Sequence, residues 1–79
     1  MQLVIRNKEG VLVEKEVAFV TLPAASGDMK VLPGHAPTIA LIKEGKIVFG
    51  GSAETGHENI TVKKGLARIT GKEVLVLID

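Results

Sequence analysis

The stretch that decides the fold is Gly27–Phe49, "GDMKVLPGHAPTIALIKEGKIVF". At its centre, residues 32–37 read "LPGHAP": two prolines, a glycine and a histidine between apolar runs. Pro33 fixes one φ angle and Gly34 tolerates a positive one, so "PG" suits the central pair of a type II turn. Pro37 forces Ala36 towards an extended conformation. The segment therefore reads as a stiff bend joining two strands. Such a bend loses little further backbone entropy when it meets a partner.

Working outward, the chain is a series of short apolar or alternating runs separated by turn residues. The runs are "QLVIR", "VLVE", "EVAFVTL", "DMKVL", "TIALIK", "KIVFG", "ENITVK", "LARIT" and "VLVLI". Alternation puts Val17, Phe19 and Thr21 on one face of the third run, with Ala18, Val20 and Leu22 on the other. Met29 pairs with Val31 on one face, and Ile60 with Val62. Pro23 ends the third run, and "PAASG" is read as a loop. "VLVLI" is apolar on both faces, which demands a central strand or a covered second face. No segment keeps a helical period over a dozen residues. Nine short runs at this spacing predict an all-β fold, a flattened β-sandwich or barrel formed by one domain over residues 1–79.

Composition narrows the function classes. A chain of 79 residues has ten Lys and Arg against nine Asp and Glu, with the basic residues scattered. Phe19 and Phe49 are its aromatic residues. Nucleic-acid binders concentrate positive charge and stack bases on exposed rings, so no nucleic-acid partner is expected. With no cysteine, disulfides and thiolate metal sites are excluded. The mean hydropathy of +0.30 is high for a small chain. No apolar run approaches the roughly 20 residues of a spanning helix, and "MQLVIRNKEG" lacks the features of a signal peptide. The expectation is a soluble protein without direct membrane insertion, carrying surplus apolar surface of the kind that is buried on a partner.

The candidate chemistry is thin. His35 as a general base needs a nucleophile or a second titrating group in reach, and no nucleophile signature is present near Ser26, Asp28 or Thr38. A structural or partner-facing histidine is the alternative. His57, with Glu54 and Glu58, offers carboxylate–imidazole ligands for a metal, although a solvated hairpin tip explains the same residues. "GLARITGK" (65–72) only loosely resembles a phosphate loop and lies between strands rather than before a helix. No catalytic residue, metal site or cofactor is assigned. An interaction protein is favoured, with a small ligand- or metal-binding β-module as the alternative.

The opening segment resembles the signature of the epsilon subunit of F-type ATP synthases (delta in mitochondrial naming). That family carries a "G-[acidic]-L-G-[apolar]-x-P-G-H-A-P" run followed by a strand and a "K-x-G-x-[apolar]" turn. Gly27, Asp28, Val31, Pro33, Gly34, His35, Ala36, Pro37, Lys43, Gly45 and Ile47 stand at the matching positions. "ITVKKGLARITGKEVLVLID" (60–79) resembles the family's closing strands, with Gly65 at their start. Lys30 replaces the usual glycine, so the turn expected there should differ in detail.

The resemblance implies a β-sandwich of about ten strands in the rotor's central stalk, clamped between the gamma subunit and the c ring. It would couple ion flow to ATP synthesis or hydrolysis without bond chemistry of its own. Its place would be peripheral, on the cytoplasmic face of an energy-transducing membrane such as the bacterial inner membrane. Gly27 and Asp28 would face the c ring, and His35, Ala36, Pro37 and Thr38 would face gamma. Ala36 and Ala40 are small enough to admit a partner backbone. Pro33 and Gly34 would form the structural turn. The family's longer members continue into a two-helix C-terminal domain. This sequence has no such helical hairpin, so the autoinhibition and ATP sensing attributed to it are not carried over.

Overall fold

The computed structural model describes residues 1–51 and 57–79. Nine strands occupy most of them: β1 (Gln2–Asn7), β2 (Gly10–Glu16), β3 (Phe19–Ala24), β4 (Gly27–Val31), β5 (Thr38–Ile42), β6 (Gly45–Gly50), β7 (Glu58–Val62), β8 (Gly65–Ile69) and β9 (Glu73–Ile78). There is no helix among the described residues. The nine runs read from the sequence correspond to these strands one for one.

Hydrogen bonding links them in the order β2-β1-β9-β8-β5-β3-β6-β7, with β4 paired to β3. The link between β5 and β3 is a single pair, Ala24 and Ile42. The sheet turns over at this corner, which leaves two layers, β2-β1-β9-β8-β5 and β4-β3-β6-β7. Period-2 alternation then decides what is buried. Leu3, Ile5, Ala67, Ile69, Val74 and Val76 enter the core from one layer, and Val20, Leu22, Val31, Ile47, Phe49 and Val62 from the other. Burying each such side chain contributes roughly 1.5–3 kcal/mol relative to exposure. "VLVLI" is a central strand as required, parallel to β1 and antiparallel to β8. β8 and β9 approach so closely that a Cβ on Gly65 would lie 2.5 Å from the Leu77 carbonyl oxygen.

Three local expectations are corrected. "EVAFVTL" is not one strand: β2 ends at Glu16 and β3 begins at Phe19. Between them, the Val17 N–H donates to Met1 O at 2.8 Å and the Ala18 N–H to Gly50 O at 2.8 Å. The chain is passing from one layer to the other, so Val17 is buried separately from Phe19 and Thr21. Pro23 and Ala24 belong to β3, and the loop shrinks to Ala25 and Ser26. Finally, Lys30 is not in a turn. It sits within β4 opposite Thr21, with its ammonium 5.2 Å from the centre of the Phe19 ring.

Candidate partner-binding surface

The "LPGHAP" segment spans the gap between β4 and β5. Gly34 has φ +86°, and the His35 N–H donates to Leu32 O at 3.1 Å. Proline then left-handed glycine, closed by a bond across four residues, is the type II pattern expected from the sequence. A second bond fixes the bend to the body of the protein: the Gly34 N–H donates to Gly71 O at 3.2 Å, in the β8–β9 turn. That turn is itself laced, because the Thr70 N–H donates to Glu73 O at 2.8 Å and the Thr70 hydroxyl accepts from the Glu73 N–H at 3.1 Å.

His35 is half-buried. Its Nδ1 lies 2.8 Å from Ala36 O, a bond that requires Nδ1 to carry the proton. The Thr38 hydroxyl donates to the same carbonyl at 2.8 Å. No carboxylate or hydroxyl nucleophile is hydrogen-bonded to the imidazole among the described residues. The ring's chemistry here is to hold the loop's shape, with Nε2 left for an outside group.

Gly27 and Asp28 lie elsewhere. They begin β4, paired with Ala24 and Pro23, whereas "LPGHAP" follows its end. At roughly 3.4 Å per residue, the two groups are separated by about 14 Å of strand. The Asp28 side chain is exposed and has no ion-pair partner among the described residues. The structure thus brings His35, Ala36, Pro37 and Thr38 together at one end of β4 and sets Gly27 and Asp28 at the other.

Of the metal-type constellation, His57 and Glu58 lie within the described residues. His57 packs edge-on against Phe19, with ring centres 4.8 Å apart, and Glu58 pairs with Lys15 of β2. Glu54 lies outside the described residues. Among the described residues, no three His, Asp or Glu side chains gather as metal ligands.

A further feature is one the sequence reading did not locate. The outward faces of β5, β8 and β9 form an apolar surface with Ile39 69%, Leu41 66%, Leu66 41% and Leu77 46% exposed. Ile39, Leu66, Leu75, Leu77 and the Arg68 side chain line a shallow hollow of about 160 Å³ there. Beside it, Thr38, Ile39, Ala40 and Leu41 share a cleft of about 350 Å³ with Ala24, Ala25, Ser26 and Met29. Surplus apolar composition and the two-sided apolarity of "VLVLI" were the available signals. Neither says which strands stay uncovered.

Comparison with known proteins follows the same lines. The family model described as the beta-sandwich domain of the ATP synthase delta/epsilon chain matches residues 1–79. An ATP synthase epsilon chain of Bordetella petrii is 38% identical over 79 residues, which cover 100% of this chain and 55% of the relative. That of Campylobacter fetus is 32% identical over 79 residues, 100% and 60% respectively. The chain spans about half the length of the curated relatives it matches. Among solved structures, a chain of the Euglena gracilis mitochondrial ATP synthase (OSCP/F1/c-ring) superposes with TM-score 0.86 at 20% identity, covering 96% of this chain and 48% of that one. A chain of the Tetrahymena thermophila mitochondrial ATP synthase central stalk/c-ring superposes with TM-score 0.80 at 6% identity, covering 99% and 62%. At these identities, the superpositions establish the shared fold.

Proposed function

Because the chain belongs to the ATP synthase delta/epsilon family, matching its β-sandwich domain throughout, we propose that it is a central-stalk component of an F-type ATP synthase. In this reading it links gamma to the c ring and couples ion flow to ATP synthesis or hydrolysis, while catalysing no reaction itself. One observation carries the reading beyond family membership: the uncovered apolar face of β5, β8 and β9, which adjoins the braced "LPGHAP" bend. Contiguous exposed apolar surface of this kind marks docking sites.

His35, Ala36, Pro37 and Thr38 are assigned to the gamma side, with Pro33 and Gly34 holding the bend. Gly27 and Asp28, at the opposite end of β4, are assigned to the c-ring side. Their separation supports the division, since a clamped linker needs two distinct contact regions. An exposed Asp28 paired with a basic loop would contribute only about 0–1 kcal/mol unless water is excluded. The domain would lie peripherally on the cytoplasmic face of the membrane.

The test is assembly. The purified chain is mixed with gamma and the catalytic hexamer from the same source, and a stable complex is expected at micromolar concentration. Failure to form one overturns the proposal.

A further inference from the structure

We infer that β5 receives an extended strand from the protein partner, so that recognition runs through backbone hydrogen bonds as well as apolar contact. The inference rests on the reading that the chain docks on gamma. Its ground is the edge chemistry of the sheet.

Among the described residues, β2 and β7 end the strand order, β4 pairs with β3 alone, and β5 meets β3 at a single pair. Exposed strand edges invite unwanted pairing, and charged side chains are a common defence. β2 carries Glu14, Lys15 and Glu16, β4 carries Asp28 and Lys30, and β7 carries Glu58. β5, "TIALI", has no charge, although Ile39 and Leu41 are more than half exposed. A bare aliphatic edge fits a strand that is covered in its working assembly.

The hydrogen-bond register says which groups are available. β5 is antiparallel to β8, pairing Ala40 with Ala67 and Ile42 with Gly65. On the other side, the Ala25 N–H donates to Leu41 O at 2.8 Å, and the Lys43 N–H donates to Pro23 O at 2.8 Å. Residues 41 and 43 therefore turn their main-chain groups away from β8. By alternation residue 39 does too, whereas 40 and 42 point to β8. Ile39 N–H, Ile39 C=O and Leu41 N–H are left facing outward with no main-chain partner among the described residues. Only another extended backbone presents matching groups at that spacing. The small residues Ala24, Ala25 and Ala40 keep the neighbouring cleft open for it.

A second copy of this chain is the competing occupant, because a two-fold pair of β5 strands centred on Ile39 would use the same outward N–H and C=O; the experiment below separates the two.

Hydrogen exchange read by NMR on the full 79-residue chain, with and without gamma from the same source, tests this. In the free protein, the Ile39 and Leu41 amides should exchange quickly, while Ala40 and Ile42 are already protected by β8. Binding should slow Ile39 and Leu41 at least ten-fold. Gamma bound with those two rates unchanged overturns the inference and spares the docking proposal, while no binding overturns both. Protection that grows with the concentration of the chain alone would mean a second copy, which also overturns it. Ile39→Pro removes the outward donor without touching the β8 ladder. If the variant keeps the parent's unfolding midpoint, its Kd for gamma should rise at least ten-fold, and an unchanged Kd overturns the inference.

Discussion

The edges β2 and β7 close on each other, and the edge of β5 stays open. Lys15 of β2 pairs with Glu58 of β7, one from each layer. Next to Glu58, His57 packs on Phe19, and opposite it in the ladder stands Phe49, 2% exposed. At β5, the adjoining strand β3 pairs only at Ala24, and the side chains around the cleft are uncharged. Both places are where a sheet runs out of strands. One is finished with charge, an edge-to-face ring pair and a large buried side chain, which suits an edge the protein must satisfy by itself. The other is left without charge, which suits an edge that something else completes.

The largest expected effect lies beneath the closed edges. Phe49→Ala should destabilise the domain by about 3–5 kcal/mol. Ile39→Ala, on the open edge, should change stability by no more than about 0.5 kcal/mol. Urea unfolding of both variants decides it: similar losses would erase the distinction between a self-sufficient edge and an open one. Next comes Gly65→Ala, where β8 meets β9. The new methyl would collide with the Leu77 carbonyl, a backbone atom that cannot swing away, at a cost of about 2–3 kcal/mol. An unchanged midpoint would show that the two strands can part without penalty.

Gly34→Val probes the bend that leads into the open edge. No atom lies within 4 Å of a Cβ built there, so the penalty is purely conformational, about 1–2 kcal/mol for a β-branched residue at positive φ. Equal stability of the variant and the parent would mean that the left-handed turn is dispensable. The smallest effect is expected from the ion pair. Both Lys15 and Glu58 are about half exposed, so Lys15→Ala should cost less than about 1 kcal/mol, and less again in high salt. A larger loss would make the pair, rather than Phe49 and its neighbours, the main reason those edges stay together.

Much of this was legible from local rules. Alternation placed Ile60 and Val62 on one face, which the structure turns to the core, and "PG" specified the turn that Gly34 adopts. Where the reading failed, a strand was changing neighbours. Pro23 looked like a strand breaker, yet β3 pairs with β6 at its start and meets β5 only at its end. At that corner Pro23 supplies only a carbonyl, to Lys43, so its missing N–H costs nothing. The apolar run through Val17 and Ala18 concealed the crossing between layers for a similar reason, since alternation does not reveal which sheet a strand joins. The exposed apolar face was the least legible part. Its residues recur in β5, β8 and β9 with apolar neighbours on both faces, and pattern alone cannot rank one apolar face above the other.

The parallel ladder of β1 and β9 has a mechanical consequence. It pairs Gln2 with Glu73 through to Arg6 with Leu77. A pull that drags Met1 and Asp79 in opposite directions runs along this ladder, so its bonds bear the load together in shear instead of opening one by one like a zipper. The "LPGHAP" bend is bonded to the turn that starts β9. A pull applied at the bend therefore enters the fold at the start of β9.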